Sequence, residues 1–506
     1  MAETTSTSRG GPAAAVRHFP PRSWMKRSDL AFVPLWASAI ALLAASALHT
    51  IVFYRLGTQL DEVSGAWAAL ADDLFRGCFY RPLLGPLGFG GTRAFPLYFT
   101  LHALLMRTGL DLIRAGYLLS ALSGLLALWG TYLLLRYLYV PRGLALLVSL
   151  WILAPLGTCR ALASFHPDLL AIGLEVCGLA VSLKSQNRRG IALAGLLFAL
   201  AFATKMTAIS APVAVSLYWI TSHKPRAALR LASVLAILCA VVLTTMQAAS
   251  NGRAFHLLLA SGGTSVQWLL LSAKSFWQVL LYEPVIAAFV IVAGFIAVTR
   301  TQETPRLATL WFVCSLAVTV LIYSAPGAAT NHLLELHTAS MVLAGTALVR
   351  HRRGPLPWML SAIILIAFLL NLRGIRTSPN NLANIHEALQ TADSAAGPIL
   401  AENPLLPIVA GQRPRVLDPF MLNLLARSHP EVRAAFNTEL EQRRFAAVIL
   451  DHDPDSPQAR NWYAYTQFGD GFLEELDKDY VRVPSSGTLV VFKPRQSAHR
   501  HGEAKN

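Results

Sequence analysis

The sequence predicts a polytopic α-helical membrane protein with a small C-terminal α/β domain. Three observations predict the membrane class. Apolar runs nearly free of charge recur from residue 30 to residue 374. Basic residues fall between those runs in regular alternation. After residue 375 the composition turns polar and Pro-punctuated. Of 506 residues, 54% are hydrophobic and 14% charged, with mean hydropathy +0.47. A soluble globule has no core large enough to hide that much apolar surface.

Residues 1–29 are rich in Ser, Thr, Ala and Pro and carry Arg17, Arg22, Lys26 and Arg27, the pattern of a disordered cytoplasmic tail. The first apolar run is too long for a cleaved signal peptide and lacks a clear small-residue cleavage site. A span needs about 20 apolar residues. The candidates are 30–51, 113–135, 142–162, 168–183, 190–205, 207–221, 227–249, 276–299, 307–324, 333–349 and 356–374, about eleven in all. The pair either side of Lys205 reads as a helical hairpin that barely surfaces.

The basic residues test the topology. They group as Arg136 and Arg142; Lys184, Arg188 and Arg189; Lys224, Arg226 and Arg230; Arg300 and Arg306; and Arg350, Arg352 and Arg353. With the N-terminus inside, all five groups fall on the cytoplasmic side, as the positive-inside rule expects. The loops 52–112, 163–167, around 206, 250–275 and 325–332 then face outward, together with everything after 375. The apolar segment 95–108 contains His102 and Arg107 and fits this scheme as a helix lying in the outer interface. The net charge of +15 follows from the same loop bias. Basic residues scattered singly between spans make no nucleic-acid-binding face. The five cysteines form no CxxC or Cys/His spacing, so neither a zinc site nor a disulfide framework is expected.

Residues 375–495 read as an outward-facing α/β domain, a usual size for an independent unit. PILAE, RPRVLD and AAVILD read as short strands, NIHEALQTADSA and HPEVRAAFNTELEQRRF as helices, and YVRVPSSGTLVVFKP as a closing hairpin. Residues 496–506 read as a disordered tail.

The outward segments hold the candidate chemistry. Asp61 and Glu62 open the first loop in LDEVSGAWAALADDLFRG. Asp61 starts a helix whose Asp72 is roughly 16 Å further along, so the two are not a contacting pair. An acid at a helix start serves as base or orienting carboxylate, or simply caps amides. Arg81 and Arg93 lie further along that loop among Trp67, Tyr80 and Tyr98. Arginine forks suit phosphate and sugar hydroxyls, while aromatics also make an interfacial belt. His166 and Asp168 occupy the second outward loop, on the same side as Asp61. An acid at the edge of hydrocarbon is costly unless solvated or used. Lys205 falls between two apolar stretches, where it must snorkel, pair or line a cavity, and where it would neutralise a lipid phosphate. Asn331, His332 and Glu335 cluster near the outer end of a span, with His332 and Glu335 on one helical face. His332 and His337, five apart, do not share a face, so these residues predict substrate or phosphate contact and no metal site. There is no GxxxxGK[ST] loop, no GxGxxG after a strand and no HExxH. Energy for a reaction on the outer face must then arrive in an activated substrate.

The N-terminal span followed by LDEVSGAWAALADDLFRGCFYRPL, then ASFHPDLLAI, ATKMTAISAP and an outward α/β domain, resembles the GT-C superfamily of polytopic glycosyltransferases. The nearest branch holds the protein O-mannosyltransferases and the lipid A aminoarabinose transferase; GGTRAFPLYFTLHALL and TNHLLELHTAS look like a bacterial subgroup. The resemblance implies a transmembrane GT-C domain over 30–374, a bacterial inner membrane and a periplasmic C-terminal domain. It implies a polyprenyl-phosphate sugar as donor substrate and a glycan, lipid or protein acceptor. Asp61 matches the first-loop catalytic or acceptor-orienting carboxylate, with Glu62 beside it; Asp168 matches the second-loop acid and Lys205 the lysine. The implied mechanism is inverting displacement, with Asp61 as general base and Lys205, Arg93 or His332 on the departing phosphate. A divalent metal is compatible with that chemistry but not required by these residues. The competing reading is a transporter or flippase for a lipid-linked or anionic substrate. It explains the intramembrane polar residues equally well and leaves the long first loop and the C-terminal domain unexplained.

Overall fold

The structure, a computed structural model, describes residues 32–261, 269–299, 305–325, 327–352, 354–377, 379–393, 397–485 and 487–495. The expected tails 1–29 and 496–506, and Arg300 and Arg353, lie outside the described residues. The chain is mostly helical, with a small C-terminal sheet domain.

Among the described residues, Phe32–Leu56, Leu112–Tyr137, Pro225–Ala249 and the helix starting at Leu356 are long and apolar enough to cross a membrane. Two expected spans are broken. The run 142–162 bends by 80° between Arg142–Leu153 and Leu156–Leu162, and the run 276–299 by 115° between Ser272–Tyr282 and Pro284–Thr299. Pro155 and Pro284 stand at the breaks. A proline inside a helix removes a hydrogen bond and drives its ring into the preceding turn. Counting each bent pair as one span gives up to six by length. The remaining expected spans are shorter helices. These include Asp168–Lys184, Arg188–Thr204, Ser210–Thr221 and Leu333–Leu348. Leu333–Leu348 is buried along nearly its whole length, packed on Pro284–Thr299 and Arg306–Ile322.

The C-terminal residues build a sheet from β3 (Ile399–Ala401), β4 (Ala447–Leu450), β5 (Tyr480–Val483) and β6 (Val490–Pro494), in the order β3-β4-β6-β5. Two short strands precede them in the first loop, β1 (Leu84–Gly85) and β2 (Gly88–Phe89). The β3–β4 pair is parallel and the others antiparallel. Strand side chains alternate between faces, and both faces are apolar. Leu400, Val448, Leu450 and Phe492 pack with Val432, Phe436, Phe468 and Phe472 on one side. Ile399, Ala401, Ala447, Ile449 and Val491 pack on the other with Ile385, Leu405 and the first-loop residues Leu60, Ala68 and Tyr98. The domain and the first loop therefore share a core.

One expected strand is placed differently. RPRVLD joins no strand of the C-terminal sheet. Val416 bridges Phe89 in parallel, with Phe89 N–H donating to Arg415 C=O at 2.8 Å and Leu417 N–H to Phe89 C=O at 3.0 Å. Gly88 permits the approach: at φ +104°, a Cβ there would sit 2.0 Å from the Arg415 oxygen. The segments 95–108 and 250–261 meet the same end of the molecule. Pro96–Arg107 is a helix burying Tyr98, Phe99, His102, Ala103 and Met106. Arg253 Nε donates to Tyr80 C=O at 3.0 Å.

Candidate active site

Two polar groups are built at this end, one on the helical domain and one where the first loop meets the sheet.

The first gathers around Asp168. Pro167 precedes the helix Asp168–Lys184, so Asp168 sits in its first turn, where an acid suits the helix dipole. Its carboxylate is 1% exposed and is paired by Lys205. Lys205 ends the helix Arg188–Thr204 in extended backbone, which turns the ammonium back toward Asp168. Asn331 donates Nδ2 to both Asp168 oxygens, at 3.1 and 3.2 Å. His166 Nδ1 lies 3.8 Å from the same carboxylate. His332 follows Asn331 in a short helical turn, Thr330–His332. Burial, and then the neighbouring Lys205, push its imidazole down to about 3, so it is neutral at pH 7. Glu335 accepts a hydrogen bond from Ser210. A cavity of about 10 Å³, room for one water, is lined by Asp168, Glu175, Lys205, Asn331, His332 and Glu335. Five of the residues predicted for this site, Asp168, Lys205, Asn331, His332 and Glu335, thus share one cavity, with His166 at its edge. Glu175 was not foreseen. It lies seven residues, two helical turns, beyond Asp168 on the same face, and that spacing was the available signal.

The second group surrounds Asp61. Asp61 is the N-cap of the helix Glu62–Phe75, and one carboxylate oxygen accepts from Ser64 N–H at 2.9 Å. Both readings of Asp61 therefore remain available to one side chain, a cap through Oδ1 and an open Oδ2. Glu62 is pushed up to about 8 by burial and then by the Asp61 charge, with Glu402 and Asp418 adding to it. At pH 7 Glu62 holds its proton. Asp61 lines a cavity of about 160 Å³ with Asp451, Asn381, Asn384, Asn403 and Thr488. Glu402 and Asp451, both unforeseen, follow the carboxyl ends of β3 and β4. The period-2 alternation sends Asp451 to the face of Ile449, toward Asp61, and Glu402 to the opposite face. There Glu402 accepts from Trp462 Nε1 at 2.5 Å, the Tyr463 hydroxyl at 2.6 Å and Asp451 N–H at 2.8 Å. Asp451 is raised well above the usual carboxylate range by burial and then by Glu402. Their signal was two apolar runs, PILAE and AAVILD, each ending in an acid.

Asp61 and Asp168 do not share a cavity. They are linked through Ser64, whose backbone caps against Asp61 and whose Oγ accepts from Phe165 N–H at 3.4 Å. Arg93 stacks over the Phe420 ring, 5.0 Å to its centroid, in the field of Asp418 and near His332. It stands between the two groups. Arg81 does not join either. It is 1% exposed, forms a two-pronged ion pair with Asp73, and donates to Leu87 C=O at 3.1 Å and Pro414 C=O at 2.6 Å. Its guanidinium ties the first loop to the C-terminal domain. Among the described residues, no three His, Cys, Asp or Glu side chains come together to hold a metal ion.

No protein-family model matches the chain, and no curated protein sequence does either. Solved structures match. ArnT from Cupriavidus metallidurans in the apo state superposes with a TM-score of 0.55 at 15% identity, over 90% of this chain and 98% of its own. The same protein bound to undecaprenyl phosphate gives 0.56 at 14% identity, over 90% and 97%. The Archaeoglobus fulgidus oligosaccharyltransferase in complex with Zn and sulfate gives 0.52 at 14% identity, over 89% and 72%. From the first helix to the C-terminal sheet, this chain shares the fold of ArnT and of the archaeal oligosaccharyltransferase.

Proposed function

We propose that this chain is a membrane glycosyltransferase that moves a sugar from a polyprenyl-phosphate carrier to an acceptor hydroxyl on the outer face of a bacterial inner membrane. The observation that carries the reading is the meeting of three parts at one end of the bundle. These are the first-loop acid Asp61, the Lys205–Asp168–Asn331 group, and the sheet domain. The fold shared with a protein that binds undecaprenyl phosphate supports the carrier class.

In this reading Asp61 takes the proton from the acceptor hydroxyl through its open oxygen. The acceptor oxygen bonds to the anomeric carbon as the bond to the phosphate oxygen breaks, and that oxygen leaves with the electron pair. Configuration at the anomeric carbon inverts. Glu62, which burial and the Asp61 charge favour in the protonated form, is the less available of the two carboxyls. Lys205 and Arg93 supply positive charge for the departing phosphate, where preorganised charge matters most. Neutral His332 supplies a hydrogen bond and no charge. Asp168 and Asn331 hold Lys205 in place rather than contacting the acceptor. The oligosaccharyltransferase neighbour was solved with Zn and sulfate; among the described residues of this chain no three His, Cys, Asp or Glu side chains come together to hold such an ion.

The test incubates purified protein in lipid with radiolabelled polyprenyl-phosphate sugars and measures donor consumption, wild type against Asp61→Asn. Consumption that disappears in a folded Asp61→Asn protein supports the assignment. Equal consumption in both removes Asp61 as base. No consumption of any donor, with acceptor mixtures present, brings the transporter reading forward.

A further inference from the structure

The cavity between the first loop and the sheet has a lining with a definite chemical sense. Five of its polar residues come from four separate elements of the C-terminal domain. Asn381 and Asn384 lie on the helix Asn381–Ala392, Asn403 and Asp451 follow β3 and β4, and Thr488 lies in the β5–β6 turn. In sheets with parallel strands, ligands sit in the crevice beyond the carboxyl ends of those strands. The cavity occupies that place for the parallel pair β3–β4.

The hydrogen bonds already made decide what is left over. Asn381 donates Nδ2 to Thr58 C=O at 2.9 Å. Asn403 donates to Leu60 C=O at 2.9 Å and accepts from Leu405 N–H at 3.0 Å. Carbonyl partners fix the orientation of both amides, which leaves the Asn381 oxygen open. Asn384 donates to Thr488 Oγ1 at 2.8 Å, so its oxygen is open too and the Thr488 hydroxyl proton is available. Asp61 has one open oxygen. Among the described residues, the Asp451 carboxyl makes no hydrogen bond or ion pair. The polar lining is therefore mostly oxygen acceptors, with donors from the Thr488 hydroxyl and the Asp451 carboxyl that burial and Glu402 keep protonated, and it lies in the negative field of Asp61 and Glu402. The rest is apolar, from Leu60, Ile385, Leu406 and Leu489. At about 160 Å³ the space exceeds many times the 10–15 Å³ that one water needs.

We propose that this cavity is the acceptor site, and that it takes a saccharide ring of the acceptor through its hydroxyls while rejecting phosphate and carboxylate. A pyranose presents hydroxyl donors at its edge and C–H groups on its faces, which match the acceptor rim and the apolar patches. An anion would meet oxygen lone pairs and like charge, a mismatch that costs affinity steeply. The name acceptor rests on the glycosyl-transfer reading. The binding preference rests on the lining alone.

The test measures saturation-transfer NMR binding to full-length protein in lipid nanodiscs, without any donor. The probes are a panel of methyl hexopyranosides and their 6-phosphates. At least one hexoside binds tenfold or more tighter than its own phosphate in wild type. Asp451→Arg reverses that ratio. Thr488→Val, a milder change at a turn, weakens hexoside binding about threefold or more. Equal or tighter binding of the phosphates overturns the proposal. So does the absence of hexoside binding, or a ratio that Asp451→Arg leaves unmoved. Hexoside binding as expected in a protein that consumes no sugar donor overturns the transfer reading and leaves this one standing. Donor consumption together with phosphate preference does the reverse.

Discussion

Asn331 donates its side-chain amide to both oxygens of Asp168, at 3.1 and 3.2 Å, across 163 residues of sequence. An Asn so placed fixes the carboxylate plane and, through it, the ammonium of Lys205. A hydrogen bond to a charged group is worth about 1.5–3 kcal/mol. Asn331→Ala should therefore lower donor turnover by about 10- to 100-fold. Asn331→Asp, which sets a second negative charge against Asp168, should lower it further. The measurement is donor consumption under saturating donor; turnover of Asn331→Ala equal to wild type would remove Asn331 as a positioning residue.

Lys205 and Asp168 form a buried pair, and removing one partner of such a pair leaves an uncompensated charge costing about 3–5 kcal/mol. Lys205→Met alone should reduce thermal stability strongly. The double variant Lys205→Met with Asp168→Asn should recover most of that stability, because both charges are gone. On the proposed function it should recover no activity, because the cation assigned to the departing phosphate is absent. Thermal unfolding and donor consumption on the same four proteins complete the cycle. Recovery of activity in the double variant would leave Lys205 a purely structural role.

Asp61 and Glu62 are adjacent, yet their environments separate them. Glu62 is raised to about 8 by burial and the Asp61 charge. A carboxyl whose folded value is raised stabilises the fold fully below its unfolded value, near 4.5, and that contribution is lost as pH rises through about 8. Wild type should therefore lose stability between these limits. Glu62→Gln, a permanent mimic of the protonated acid, should not lose that part, and its melting temperature should exceed wild type at pH 8.5 but not at pH 5. Asp61→Asn should cost about 100- to 10,000-fold in turnover, the usual range for a general base, and Glu62→Gln far less. A larger loss in Glu62→Gln than in Asp61→Asn would exchange the two roles.

The helical architecture was legible because hydropathy and loop charge report burial in lipid directly, and the segments that the charge pattern places outside do meet at one end. The two bent runs were less legible. Their apolar content is continuous, and only Pro155 and Pro284 mark the breaks. The Asp168 group could be read from sequence because a charge in an apolar run is conspicuous. Glu175 was passed over inside such a run, although its two-turn spacing from Asp168 placed it. The Asp61 cavity was half legible. Its first-loop side has an acid at a helix start, while its other side depends on which face a strand end presents. For Asp451 and Glu402 that choice is fixed by a sheet assembled from segments as much as 90 residues apart. Arg81 shows the limit of residue type as a guide. An arginine suited to phosphate is here committed to Asp73 and two carbonyls.

Gly65 gives a prediction whose sign separates two effects. It lies one turn after Asp61, with its N–H donating to Asp61 C=O at 2.9 Å. In a helix interior Ala is better than Gly by about 0.5–1 kcal/mol, so propensity alone makes Gly65→Ala stabilising. The contact argues the reverse. A Cβ at 65 would sit 2.1 Å from Asn403 Oδ1 and 2.9 Å from both Leu405 N and Pro404 Cδ. Two of these are held firmly, since Asn403 bonds Leu60 C=O and its oxygen bonds Leu405 N–H. The strain must be relieved by moving the sheet domain away from the first loop, which widens the gap between Asp61 and Asp451. Gly65→Ala should therefore lower the melting temperature and reduce turnover about tenfold or more, because small displacements of a positioned group are costly. Gly294, in the helix Pro284–Thr299 with open space around a built Cβ, is the control. There Gly→Ala should raise stability slightly and leave turnover unchanged. A Gly65→Ala protein that gains stability in the same way would mean that the first-loop helix and the sheet domain are not held at this distance in solution.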